Sequence, residues 1–272
     1  MKKLFLIIPL LFFFNTEELK VISYNIRYNN PNDGINIWEN RRSTIAQFLI
    51  NENPDFAGLQ EVKYSQLTFL TESLLNYSFI GVGRDDGKTK GEYSPIFFNT
   101  KKYKVLHNKT FWLSSSPEKV SVGWDASMER ICTYGLFENL KSKEKIWVFN
   151  THLDHLGVKA RKNSTDLILK MINEIKTTSM PIILTGDFNL EDNNSSIKKI
   201  QSQLTDVLLK INKSNNHYET YNGFNNIVES KKRIDYIFIK NLQVKNAKHV
   251  HLKTSFEGWA SDHHPVLSIL EF

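Results

Sequence analysis

A single cysteine occurs in the 272 residues of this chain. Cys132 alone cannot form an intramolecular disulfide or a cysteine-ligated zinc cluster. Its apolar neighbours, Ile131, Thr133 and Tyr134, make it a small core residue. No His-Glu-x-x-His is present, which argues against the helical zinc-hydrolase arrangement. Nor is there a dense basic run. The 35 Lys and Arg exceed the 29 Asp and Glu by six, but the lysines are scattered among Asn, Ser and Glu. That balance suits an anionic substrate and only weakly supports a nucleic-acid track. There is no internal repeat, low-complexity segment or domain linker. The apolar run ending at Phe14 is shorter than the roughly 20 residues a membrane-spanning helix needs. With Lys2 and Lys3 before it, it has the form of an export signal, although Asn15-Thr16-Glu17 is no small-x-small cleavage site. Residues 1–18 are therefore read as a signal peptide or uncleaved N-terminal anchor, and 19–272 as one domain. The expected location is periplasmic or secreted. No obligate protein partner is evident, and a monomer is expected.

What is present is an ordinary globular composition, 40% hydrophobic and 24% charged, enough for a sizeable core. The chain is organised around Ile182-Ile183-Leu184-Thr185-Gly186-Asp187-Phe188-Asn189. The apolar run reads as a buried strand, with Asp187 and Asn189 two apart at its end. Other strands end in the same way. Val21, Ser23 and Asn25 share one face of a strand over 19–27. Ala57, Leu59 and Glu61 are expected to share a face of a second. Val148, Asn150 and His152 share a face of a third. Asp235 faces with Ile237 and Ile239, and Asp262-His263 precedes the closing strand. Helices are expected at about 38–51, 65–75, 158–176 and 195–204, alternating with strands as in α/β proteins. Short strands dominate 79–149, where two polar loops, 84–92 and 114–130, are long enough to be functional. Residues 210–232 read as polar and irregular.

Taken singly, each of these polar groups has an ordinary reading as a cap, a turn residue or a satisfied core histidine. Their shared position at strand ends is the signal. Carboxylates, amides and imidazoles gathered in one cleft suit phosphate and hard-metal chemistry.

Ser23-Tyr24-Asn25, Gln60-Glu61, Asn150-Thr151-His152-Leu153, Gly186-Asp187-Phe188-Asn189, Arg233-Ile234-Asp235-Tyr236-Ile237 and Ser261-Asp262-His263-His264-Pro265 resemble, in order, the motifs of the endonuclease/exonuclease/phosphatase superfamily. That DNase I-like group also includes sphingomyelinases, inositol-polyphosphate phosphatases and CCR4-type deadenylases. Gly91-Glu92-Tyr93-Ser94-Pro95-Ile96-Phe97-Phe98, with Gly83-Arg84-Asp85-Asp86-Gly87, Trp112-Leu113-Ser114 and Gly123-Trp124-Asp125, is similar to a bacterial, exported branch related to the CCR4-type enzymes. The resemblance implies a four-layer α/β/β/α sandwich of two packed, mostly antiparallel sheets flanked by helices.

It also implies hydrolysis of phosphate esters with Mg²⁺, for which Mn²⁺ can substitute. By resemblance Glu61 is the main metal ligand, with Asn25 and Asp262 beside it. Asp187, held by Asn189, orients or deprotonates the attacking water. Asp235 holds His263, which faces the phosphoryl oxygens, and His152 donates to them. Arg84 and Arg130 are the candidate substrate-binding arginines. Arg27 stands where some family nucleases carry an acid, which favours a one-metal site. His155 and His264 are expected to be supporting or structural. Trp112, Trp124 and Trp259 are candidate stacking platforms for a base, and Phe256 to Trp259 a candidate membrane contact. The expected activity is cleavage of phosphodiesters in RNA, DNA or nucleotide-like substrates. The alternative is a phosphatase or phospholipase C-type hydrolase acting on phospholipid head groups, inositol phosphates or sugar phosphates. A binding module that has lost catalysis is disfavoured, because Glu61, Asp187, Asp235, Asp262, His152 and His263 are all present.

Overall fold

The computed structural model describes residues 18–175, 179–211, 219–225 and 232–272. The proposed signal segment therefore lies outside the described residues, apart from Glu18, as do parts of 210–232. Among the described residues, twelve strands form two six-stranded sheets. The first contains β1 (Glu18–Asn25), β2 (Phe56–Gln60), β3 (Tyr77–Ile80), β4 (Ile96–Asn99), β11 (Gln243–His249) and β12 (Val266–Glu271), in the order β11-β12-β1-β2-β4-β3. The second contains β5 (Tyr103–Trp112), β6 (Ile131–Asn139), β7 (Lys145–His152), β8 (Ile182–Asp187), β9 (Thr205–Asp206) and β10 (Asp235–Lys240), in the order β5-β6-β7-β8-β10-β9. Each sheet has one parallel pair, β1 with β2 and β7 with β8, and its other pairings are antiparallel.

Alternating side chains produce the layers. Val21, Phe56 and Ile96 of the first sheet meet Val148, Ile183 and Ile237 of the second between the sheets. The opposite face of the first sheet packs Ile22, Leu59 and Phe97 against α1 (Trp38–Glu52) and α2 (Tyr64–Ser73). The opposite face of the second packs Phe149, Leu184 and Phe238 against α3 (Val158–Glu174) and α4 (Ser195–Gln201). The protein is thus an α/β/β/α sandwich. Burial of such large side chains supplies about 1.5–3 kcal/mol each before the entropy of ordering is counted.

Near one end, the inter-sheet core becomes polar. Gln60 donates to Asn150 Oδ1 (2.7 Å), Thr185 donates to the same oxygen (3.0 Å), and Gly186 N donates to Ser23 Oγ (3.0 Å). Every bond in this network joins buried groups, so it fixes how the two sheets seat on each other. Gly58 is needed there, because a Cβ would lie 2.1 Å from Thr185 Oγ1. The candidate site stands on this polar layer.

Candidate active site

The strand ends do converge, but not all by simple alternation. Glu61 does not share the face of Ala57 and Leu59, which pack on the helix side. Its φ of +61° turns the chain as β2 ends and swings the carboxylate inward, where Oε1 accepts from Asn25 Nδ2 (3.0 Å) and Oε2 from Tyr28 N (3.0 Å). Arg27 and Asn189 also have left-handed backbones, at φ 57° and 49°. Left-handed non-glycine residues are uncommon, and three at the mouths of strands mark a site where position outweighs local strain.

Asp187 is the hub. Its Oδ2 accepts from Asn25 Nδ2 (3.0 Å) and lies 3.4 Å from His152 Nε2 and 3.7 Å from His263 Nε2. Its Oδ1 accepts from Asn189 N (2.9 Å). Burial, and then the charge of Asp235, push the Asp187 carboxyl up to about 7. Asn189 also donates to Leu153 O (3.0 Å) and sits 3.1 Å from His152 Nε2, binding β7 to β8 at their ends. His263 contacts Asp235 Oδ2 through Nδ1 at 2.8 Å. Burial opposes charge on His263, but Asp235 and Asp187 outweigh it and hold the imidazolium well above the ordinary histidine range. Burial, then Arg130 and Arg84, act the other way on His152 and keep it neutral.

Asn25, Glu61 and Asp262 form a separate oxygen-rich group beside this one. Asp262 is pushed up by burial and by the charge of Glu61, while His263 and Arg27 oppose the shift. Arg27 lies 3.7 Å from Asp262 Oδ2, with its fork on Asp33 (3.0 Å). A buried and a half-buried carboxylate beside a buried amide fit a hard divalent cation, which prefers oxygen and would relieve their repulsion. Ligand-type atoms of Asp187, Asp235 and His263 also lie within 4.8 Å of one another. In that group, however, an imidazolium already offsets part of the carboxylate charge.

The groups surround a cleft of about 720 Å³ that Arg84 and Arg130 also line. Both arginines are buried in carboxylate pairs rather than extended freely. Arg84 forks onto Glu92 (2.7 and 3.2 Å), and Arg130 Nε lies 3.5 Å from Asp154 Oδ2. Arg130 Nη2 reaches His155 Nδ1 (3.1 Å), so His155 belongs to the cleft wall. His264 is buried away from the cleft, against His251 and Trp259. The tryptophans are not the aromatic lining. Trp112 is buried with its Nε1 donating to Arg84 O (2.7 Å), and Trp259 packs on His264. Tyr28 and Tyr221 line the cleft instead. Tyr221 sits in the polar 210–232 stretch, where no periodic pattern marks it.

A family model, the Endonuclease/Exonuclease/phosphatase family, matches residues 22–263. The chain belongs to this family. Members hydrolyse phosphate esters and generally depend on divalent metal, and this chain is a phosphoesterase of that group. It is 36% identical to the endonuclease/exonuclease/phosphatase of Bacteroides vulgatus, covering 94% of this chain and 99% of that one with a TM-score of 0.87. It is equally 36% identical to the mannosyl-6-phosphatase of Bacteroides thetaiotaomicron, over 93% of this chain and all of that one, with a TM-score of 0.85. It is 28% identical to the probable RNA exonuclease NGL3 of Saccharomyces cerevisiae, matching 64% of this chain but only 38% of that protein. That likeness bears out the kinship with CCR4-type enzymes read from the sequence.

Proposed function

We propose that the protein is a metal-dependent phosphatase acting on the phosphate monoester of a small, hydroxylated molecule of the sugar-phosphate kind. One observation carries this choice over nucleic acid. Each arginine of the cleft is already matched by carboxylate: Arg27 by Asp33 and Asp262, Arg84 by Glu92, and Arg130 by Asp154. A paired arginine can share a donor with one phosphoryl group, but paired arginines make a poor track for a polyanionic backbone. The 36% identity with a mannosyl-6-phosphatase supports the same class.

On this reading we assign the roles as follows. Hydrolysis in line places the attacking water and the leaving oxygen on opposite sides of phosphorus. Asp187 and His263 are 3.7 Å apart, so both serve one side. Asp187, with its raised affinity for protons, takes the proton of the attacking water. His263, protonated and held by Asp235, donates from Nε2 to a non-bridging oxygen on that side. Neutral His152 lines the same cleft, its Nε2 accepting from Asn189 Nδ2 (3.1 Å) and so steadying the residue that holds Asp187. Arg130 steadies the phosphoryl group. Asn25, Glu61 and Asp262 would hold one Mg²⁺ or Mn²⁺, with the Arg27 guanidinium beside Asp262. The cation would supply Lewis-acid stabilisation of charge on the phosphoryl oxygens.

A second reading keeps the same chemistry on phosphodiesters of RNA, DNA or nucleotides. The likeness to NGL3 and the net charge of +6 favour it. Hydrolysis of a panel of sugar phosphates, inositol phosphates, phospholipids, nucleotides, RNA and DNA, with Mg²⁺, Mn²⁺ or EDTA, tests the choice. The first reading requires release of inorganic phosphate from sugar monoesters. Cleavage confined to polynucleotides overturns it.

A further inference from the structure

His263 and Asp235 are carried by different sheets. His263 precedes β12 of the first sheet, and Asp235 opens β10 of the second. Their 2.8 Å contact therefore depends on how the sheets are seated. One short segment, Glu219–Asn225, touches both sides. Thr220 is fully buried, and its Oγ1 accepts from Ile234 N (3.0 Å) and Asp235 N (3.1 Å). Its carbonyl accepts from His264 N (2.6 Å), and its own N–H donates to Lys232 O (3.0 Å). Beyond it, Asn222 N and Gly223 N donate to Asp262 O (2.8 and 3.1 Å), and Asn222 Nδ2 donates to Ser261 O (3.1 Å). The Tyr221 ring meets the His263 ring at 70°, with centroids 5.1 Å apart.

We propose that Thr220 is a positioning residue for phosphoester hydrolysis, its hydroxyl and carbonyl tying the Asp235 backbone of one sheet to the histidine loop of the other. This rests on the phosphoesterase reading but not on the identity of the substrate. The hydroxyl is the critical part. It reaches Ile234 N and Asp235 N, whereas a purely packing role would need only the methyl group and the bulk. Valine keeps the shape and the β-branch but leaves two buried N–H groups without their acceptor, and serine keeps the acceptor.

The test compares T220V and T220S, using p-nitrophenyl phosphate as substrate. T220V is expected to lower kcat per folded molecule by about ten- to a hundredfold with little change in KM, while T220S recovers most of the loss. In a D235N background, T220V is expected to add less than about a twofold loss, because its effect passes through Asp235. A proton on His263 Nδ1 shared with Asp235 should give a far-downfield NMR signal that needs no substrate. T220V should shift or broaden that signal in the resting protein. Near-UV circular dichroism fixes the folded fraction. T220V that loses thermal stability but retains kcat and the signal overturns the proposal. So does a T220V effect that multiplies fully with D235N. Failure of wild type to hydrolyse any phosphate ester would instead sink the functional reading, and the NMR comparison would still judge Thr220.

Discussion

Asp187 and Asp235 are cross-strand partners, facing each other at the ends of β8 and β10. Both are buried, and like charges directly opposite in an antiparallel pair repel. His263 compensates: it contacts Asp235 through one ring nitrogen and approaches Asp187 with the other. The three side chains therefore behave as one coupled group, and losing any member disturbs the other two.

Asp187→Asn and His263→Ala should each cut kcat by about 10²- to 10⁴-fold, the range for removing a positioned proton acceptor or charged donor. The double variant should lose far less than the product of the single losses, since the residues act as a unit. Steady-state rates of folded protein measure both. Retained activity in the double variant would remove the mechanism.

Asp262 is held above its ordinary range by burial and by Glu61, so its charged form costs the metal-free fold stability. Metal-free D262N should melt higher than metal-free wild type. Mg²⁺ should raise the Tm of wild type and do much less for D262N. Calorimetric scans with EDTA and with excess Mg²⁺ make the comparison. A wild-type Tm indifferent to divalent ions would count against the assigned ligands.

His264 gives a pH dependence of stability with a definite sign. Burial, with His251 and His263 nearby, lowers it from 6.5 to about 4. Between those values the unfolded chain binds the proton and the fold does not. Its contribution to stability is therefore complete above about pH 6.5 and is lost progressively as pH falls toward 4, reaching about 3 kcal/mol. Other groups titrate in this range, so the difference from H264N isolates it. Urea unfolding at pH 7.5 and 4.5 should show the stability gap between wild type and H264N narrowing in acid.

Arg130→Lys should behave almost as badly as Arg130→Ala, lowering kcat/KM about ten- to a hundredfold. A lysine cannot serve Asp154, His155 and a phosphoryl oxygen at once. Near-full activity in R130K would show that only charge is needed there.

Much of this was legible in the sequence because its signal is local. The period-two faces of β7 and β10 place His152 and Asp235 inward, and the structure agrees. Glu61 does not take the face its spacing from Ala57 and Leu59 predicts. Its motif is readable, but the left-handed turn that aims it is enforced by contacts from Asn25 and Tyr28, which no periodicity reveals. β11 was missed because Gln243–His249 has exposed, polar faces and a bulge at an edge, and so shows no buried alternation. Thr220 and Tyr221 were invisible for a similar reason: their bonds run to Asp235 and to the 261–264 loop, not along a regular element. Arg84 and Arg130 were recognisable as candidates, but their pairing with Glu92 and Asp154 required three dimensions.

Gly58 sits between the sheets, below the site, with no room for even a methyl group against Thr185 and Asn150. That fit makes the reaction rate a sensitive gauge of the molecule's interior. A few tenths of an ångström of spreading at that level would reach the histidine and its aspartate as a misaligned proton long before the protein unfolded. Slow turnover, not precipitation or a lowered melting point, would then be the first symptom of a damaged core.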